Sequence, residues 1–188
     1  MSITPKTLSL GAALAGCVLV AGVGLAHAGG YGFGTPATPA EIAAFDIDAM
    51  PDGRGLPPGS GDHAAGKEVY MEKCAACHGE KLEGVKGTGG AALIGGRGTI
   101  GSGKPKKTVE SYWPYATTVF DFVKRAMPFD TPGSMTDDEI YAVTAFILAE
   151  GKIISTDAVM DAKSLPKVEM PNKDGFIPDP RPDIFNYE

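Results

Sequence analysis

Apolar residues recur at helical spacing in three stretches of the chain. Over 64–74, AAGKEVYMEKC, one side carries Ala65, Val69 and Cys74 and another carries Gly66 and Tyr70, which predicts a helix buried on more than one face. From Pro114 to Ala126 the residues Ala116, Val119, Phe120 and Val123 form a stripe, and Met127-Pro128 ends it, because proline disfavours helical backbone in the residue before it. The clearest helix is 137–150. Thr136-Asp137-Asp138-Glu139 opens it as a capping box, Ile140, Val143 and Ile147 line it with Thr144 beside them, and Gly151 stops it. A short helix is predicted near 108–112, and one or two helical turns over 39–45, where Thr38-Pro39-Ala40-Glu41 fits a second capping box with proline at the first helical position. The remainder reads as loop: an arm over 29–61, a glycine-rich stretch from Gly79 to Lys107, and a proline-rich tail over 152–188. The glycine stretch lacks the preceding strand and the Gly-Lys-Ser/Thr helix start of a phosphate-binding loop.

Composition narrows the class. A chain of 188 residues, 43% hydrophobic, with a formal charge of -6, is one modest globular domain with additions. Its acidity argues against nucleic acid as a partner, since the only basic cluster, Lys104, Lys106 and Lys107, reads as a solvated loop. Residues 1–28 read as an export signal: Lys6 supplies the positive charge, Leu8 to Leu25 is apolar, and Ala26-His27-Ala28 is a small-x-small cleavage site. Periplasmic export is the expectation. Two other outcomes stay open, lipidation at Cys17 within Leu14-Ala15-Gly16-Cys17 and retention of the apolar run as an anchor; only these would bring membrane contact.

Two of the three cysteines lie in Cys74-Ala-Ala-Cys77-His78. Thiols at i and i+3 can add across the two vinyl groups of haem, and the histidine that follows can sit beneath the iron. A zinc site would want four ligands, for which only His63 could join these three, and a thioredoxin-like pair would want a βαβ setting. One covalently attached haem c is therefore expected, with His78 as an axial ligand. His63 and six methionines beyond Met1 compete for the opposite position. His63 is too near the motif to reach the other haem face, Met50 lies in the arm, Met71 in the motif helix, and Met160 and Met170 in the tail. Met135 precedes the cap Thr136, where an apolar staple residue belongs. Met127 ends an amphipathic helix, and Pro128 lets its backbone turn inward, so Met127 is the predicted second ligand.

The order helix, Cys-Ala-Ala-Cys-His-Gly, glycine loop, Met-Pro, then Thr-Asp-Asp-Glu-Ile before a last helix resembles a class I cytochrome c over 62–151. That resemblance implies an all-α fold in which the first and last helices cross through Gly66 and Tyr70 on one side and Val143 and Phe146 on the other. Many members hold the histidine with a carbonyl near a proline; none occurs here between Gly87 and Gly96, which leaves the acceptor open. The arm ATPAEIAAFDIDAMPDGRGLPPGSG, the segment KTVESYWPYATTVFDFVKRAMPFDTPGS and the tail LPKVEMPNKDGFIPDPRP resemble the cytochrome subunits of periplasmic molybdenum sulfite or sulfane dehydrogenases. A molybdenum-containing catalytic subunit as electron donor, and a downstream cytochrome c or oxidase as acceptor, are implied.

Catalysis by this chain alone is not expected, because Cys74 and Cys77 are committed to haem and no thiolate remains for a metal centre. With His78 and Met127 both on the iron, no open position is left for a substrate. A free electron shuttle and a peroxidase or gas sensor are the competing functions. Trp113, Tyr112, Tyr115 and Arg97 are candidates to contact the haem or its propionates, or else to pack ordinarily. The arm and tail are expected to wrap either a partner subunit or the cytochrome itself.

Overall fold

A computed structural model describes residues 34–177; the export signal, Cys17 and the end of the tail lie outside them. The elements in chain order are α1 (Pro39–Phe45), β1 (Ser60–Asp62), α2 (His63–Lys73), α3 (Ala75–His78), α4 (Ala116–Ala126), α5 (Asp137–Glu150), β2 (Val159–Asp161) and a 3-10 turn, Leu165–Lys167. The chain divides into two units after Ile42. In the first, Thr38 and Glu41 exchange the two bonds of the predicted capping box, the Glu41 carboxylate accepting from the Thr38 N–H at 2.8 Å and the Thr38 hydroxyl from the Glu41 N–H at 3.2 Å. None of the residues of α1 is buried.

The second unit is built on the crossing of α2 and α5. A Cβ on Gly66 would lie 1.9 Å from the Ala142 carbonyl oxygen and 2.8 Å from Phe146 Cβ, so only glycine allows the helices this close. The Tyr70 and Phe146 rings stack at 5.0 Å beside it. Ala142, not Val143, is thus the residue facing Gly66. Helix α5 buries every residue from Ile140 to Ala149. It is covered by α2, α4 and β1 together, which is why its sequence is apolar nearly all round. Phe120 on α4 meets Tyr141 on α5 at 4.5 Å between ring centroids. The Thr136–Glu139 box forms as predicted.

Three local expectations change. Asp62 caps α2 by accepting the Ala65 N–H at 2.9 Å, so that helix starts at His63. Residues 108–112 make a single turn, closed by the Tyr112 N–H on the Thr108 carbonyl at 3.0 Å. There the Thr108 and Ser111 hydroxyls accept each other's backbone N–H, a reciprocal pair that closes the turn on itself. Helix α4 starts at Ala116, with Tyr115 extended as its cap.

The described parts of the arm and tail after Ile42 pack on the helical core. β1 and β2 pair antiparallel, Ser60 opposite Asp161, a link that three-residue strands do not announce in sequence. Gly61 presses on α5, where a Cβ would fall 2.2 Å from the Ala142 nitrogen. Tyr141 donates to the Pro57 carbonyl at 2.9 Å, and Asp138 accepts the Ser60 N–H at 2.7 Å. From the tail, Met160, Leu165 and Met170 enter the core, each worth about 1.5–3 kcal/mol of burial. Asn172 fastens the tail further on by donating to the Tyr112 carbonyl at 2.7 Å.

Candidate functional site

Cys74 closes α2 and opens α3. Its carbonyl accepts the N–H groups of both Cys77, at 3.1 Å, and His78, at 2.9 Å. One tight turn therefore carries all three side chains, at i, i+3 and i+4, on a common face. Tyr70 anchors this turn to its helix by donating to the Gly79 carbonyl at 2.7 Å. Burial pushes the Cys74 thiol up to about 11, against the opposing pull of the Lys73 charge. Cys77 is exposed.

The loop that follows folds back onto the motif. The Cys77 carbonyl accepts from Val85 at 3.0 Å, the His78 carbonyl from Gly84, and the Leu82 carbonyl from Leu93 at 2.8 Å. Gly90 lies so close that a Cβ there would fall 2.0 Å from the Cys77 oxygen. This approach brings the Ala91 carbonyl to 2.7 Å from His78 Nδ1. A carbonyl can only accept, so Nδ1 carries the proton and Nε2 keeps its lone pair free to bind a metal. The acceptor that the absence of a proline left open is Ala91. Sequence held no sign of it beyond a loop free to bend.

Met127 follows the last turn of α4, its N–H on the Val123 carbonyl at 3.1 Å, and its backbone is extended (φ -126, ψ 147). The side chain is half-buried and packs on the same core as Cys74, Leu93, Ile94 and Trp113, which are likewise half-covered. The other methionines are placed differently. Met50 and Met71 are exposed, Met135 is buried beside the α5 cap, and Met160 and Met170 fill the core from the tail. His63 pairs with Glu150 at 2.9 Å and packs on Phe146, apart from any set with Cys74, Cys77 and His78 that zinc would need. Two thiols on one turn, an imidazole with a fixed free nitrogen, a thioether and a margin of half-covered apolar side chains are the donor set and lining that suit a flat, apolar macrocycle holding iron.

Of the further candidates, Arg97 bonds to Glu110 at 3.1 Å and to the Gly151 carbonyl at 2.7 Å, tying the loop to the end of α5. Trp113 meets Phe122 edge-on at 5.6 Å between centroids, and Tyr112 lies between Lys107 and Phe176. Tyr115 is substantially exposed. Ordinary packing accounts for Arg97 and Tyr112.

A sequence profile of the Cytochrome c family matches residues 63–150, the stretch from the start of α2 to the end of α5. The chain belongs to the cytochrome c family, a class of all-α, haem c-carrying electron-transfer proteins. More particularly, it is similar to a chain in the crystal structure of the sulfane dehydrogenase SoxCD from Paracoccus pantotrophus. Identity is 42%, the TM-score is 0.74, and the match covers 82% of this chain and 75% of that one. It is also 31% identical over 93 residues to a thiosulfate dehydrogenase of Stutzerimonas stutzeri (strain A1501). That match covers 48% of this chain, which spans 28% of the length of that relative. Among the described residues no helix is long and apolar enough to cross a membrane.

Proposed function

We propose that Cys74 and Cys77 attach one haem c, that His78 and Met127 are its axial ligands, and that the chain is the electron-accepting subunit of a periplasmic sulfur-compound dehydrogenase. Its partner is the molybdenum-containing catalytic subunit of a sulfite or sulfane dehydrogenase, and a downstream cytochrome c or oxidase takes the electrons on. The observation that carries the reading is the extent of the likeness to the SoxCD chain. At 82% of this chain it exceeds the haem core of 63–150 and takes in arm or tail sequence, so the likeness is more than that of the haem fold alone.

Bound haem supplies a one-electron Fe(III)/Fe(II) couple. The protein's residues do the rest. The Ala91 carbonyl fixes the His78 ring and raises the basicity of Nε2. The Met127 thioether would hold the iron opposite His78 and favour its reduced form, with the half-covered apolar side chains of Leu93, Ile94 and Trp113 packed on the same core. With both positions filled, only electrons pass.

The first test is the visible spectrum of the oxidised protein beside that of Met127→Ala. A weak far-red band in the wild type that vanishes in the variant is expected of iron–sulfur coordination. A high-spin spectrum in the wild type would transfer the reading to peroxidase or sensor chemistry. Size exclusion with the catalytic subunit then tests the partner: co-elution is expected, and a lone monomer means a free shuttle.

A further inference from the structure

We propose that Asp121 is a positioning residue for Met127, strapping the arm across α4 and so holding the helix whose last turn presents the thioether. The inference rests on Met127 being the axial ligand as proposed above. Asp121 is buried, yet it carries a carboxylate on the face of α4 that packs inward. One oxygen accepts the Ala49 N–H at 2.9 Å, a buried bond that joins the arm to the helix. The other accepts from Arg125 one turn on, and Arg125 reaches back to Asp48 at 2.5 Å. Asp121 and the Arg125 it pairs with thus tie two consecutive arm residues to the half of α4 that ends on Met127.

The strap is stiff enough to act as a clamp. The Met50 N–H bonds to the Arg54 carbonyl at 2.8 Å and the Gly53 N–H to the Met50 carbonyl at 2.9 Å. A Cβ on Gly55 would lie 1.8 Å from the Asp48 oxygen, and one on Gly53 would lie 2.5 Å from Pro166 Cγ. The arm loop therefore closes on itself and rests on the tail's 3-10 turn, whose Leu165 is fully buried and which packs against α4. β1 and β2 join arm to tail a second time. The strand pair lies on α5 and the 3-10 turn on α4.

A buried carboxylate is costly where an apolar side chain could have filled the space, so its presence here wants a geometric reason. Beyond Asp121 and Arg125 the end of α4 is held by buried Val123 and by Lys124, whose ammonium donates to Asp137 on α5 at 2.9 Å, while the Met127 N–H on the Val123 carbonyl fixes the backbone within the helix. Those ties hold the side of α4 that faces α5; on the side that faces the arm, Asp121 and Arg125 make the bonds, so losing Asp121 frees that side of the last turn while the rest of the fold stays closed.

The experiment uses the haem-loaded full chain as wild type, Asp121→Ala and Asp121→Asn, and follows the far-red band and far-UV circular dichroism on heating. It also measures the rate at which added imidazole binds the oxidised protein, which requires the methionine to leave. In Asp121→Ala the band is expected to fade well before the helical signal, and imidazole binding to quicken by roughly tenfold or more, the worth of a hydrogen bond to a buried charge. Asp121→Asn keeps an oxygen for the Ala49 N–H and is expected to fall between the two; if Asp121→Ala does not fold, the same shift in Asp121→Asn decides. Band and helical signal that melt together in the variants, with imidazole rates equal to wild type, would overturn the proposal. A wild type with no far-red band would instead sink the Met127 assignment beneath it.

Discussion

Replacing Gly66 by alanine places one methyl group where α2 and α5 cross. The new Cβ would stand 1.9 Å from the Ala142 carbonyl oxygen and 2.5 Å from its carbon, both backbone atoms inside a fully buried helix. An ordinary carbon–oxygen contact is about 3.3 Å, so the helices must separate by roughly 1.4 Å at that point. On an exposed helix, Gly→Ala gains about 1 kcal/mol from propensity and the restricted unfolded chain. Here overpacking costs about 1–3 kcal/mol or more and also loosens the Tyr70–Phe146 stack. Because the clash is with backbone, the upper end of that cost applies, and a net loss of about 2 kcal/mol is expected. Because Cys74 directly follows α2, the shift also reaches the turn that carries His78. Guanidinium denaturation of the haem-loaded protein, followed by far-UV circular dichroism and by haem absorbance, measures both effects. Gly101→Ala is the control: nothing lies within 4 Å of a Cβ there, and its backbone is not left-handed. A Gly66→Ala protein as stable as the control, with an unaltered haem spectrum, would refute the crossing as the source of the fold's tolerance limit.

Gly90→Ala tests the second-side support of His78: its Cβ would fall 2.0 Å from the Cys77 oxygen, pushing Ala91 from Nδ1, and a shifted reduction potential with poorer haem incorporation is expected in voltammetry and pyridine haemochrome assays. Glu139 tests acid stability. The Lys73 ammonium, and after it the Thr136 N–H, hold its carboxyl below the usual glutamate value, so its contribution is present above the unfolded-state value and is lost as pH falls through the lowered folded-state one. Melting temperatures of wild type should therefore decline below about pH 5, and Glu139→Gln should start lower and decline less steeply over the same window. Parallel curves for the two proteins would contradict the assignment.

How much of this was legible in sequence differs from residue to residue. The span 137–150 was, to the residue, because its ends are set by chemistry local to the chain: Thr136 and Glu139 satisfy the N-terminal N–H groups, and Gly151 follows the last turn. The haem motif was legible for the same reason, since Cys74, Cys77 and His78 share one turn whatever surrounds it. Residues 108–112 misled because Thr108 and Ser111 can serve either a helix or a turn, and contacts elsewhere settled which. β1 and β2 were invisible, being three residues each and paired across nearly a hundred positions.

By itself, then, the sequence determined the long helices and the donor types on one turn, and it supplied the reasons for proposing Met127 over its rivals, all of which rest on spacing and local hydrogen bonding. Tertiary structure alone decided that Ala142 faces Gly66, that Ala91 sets the His78 tautomer, and that arm and tail belt the cytochrome through Asp121 and the strand pair. Each of those is a meeting of residues far apart in the chain, where the energy lies in a close approach or a buried bond that no local pattern encodes.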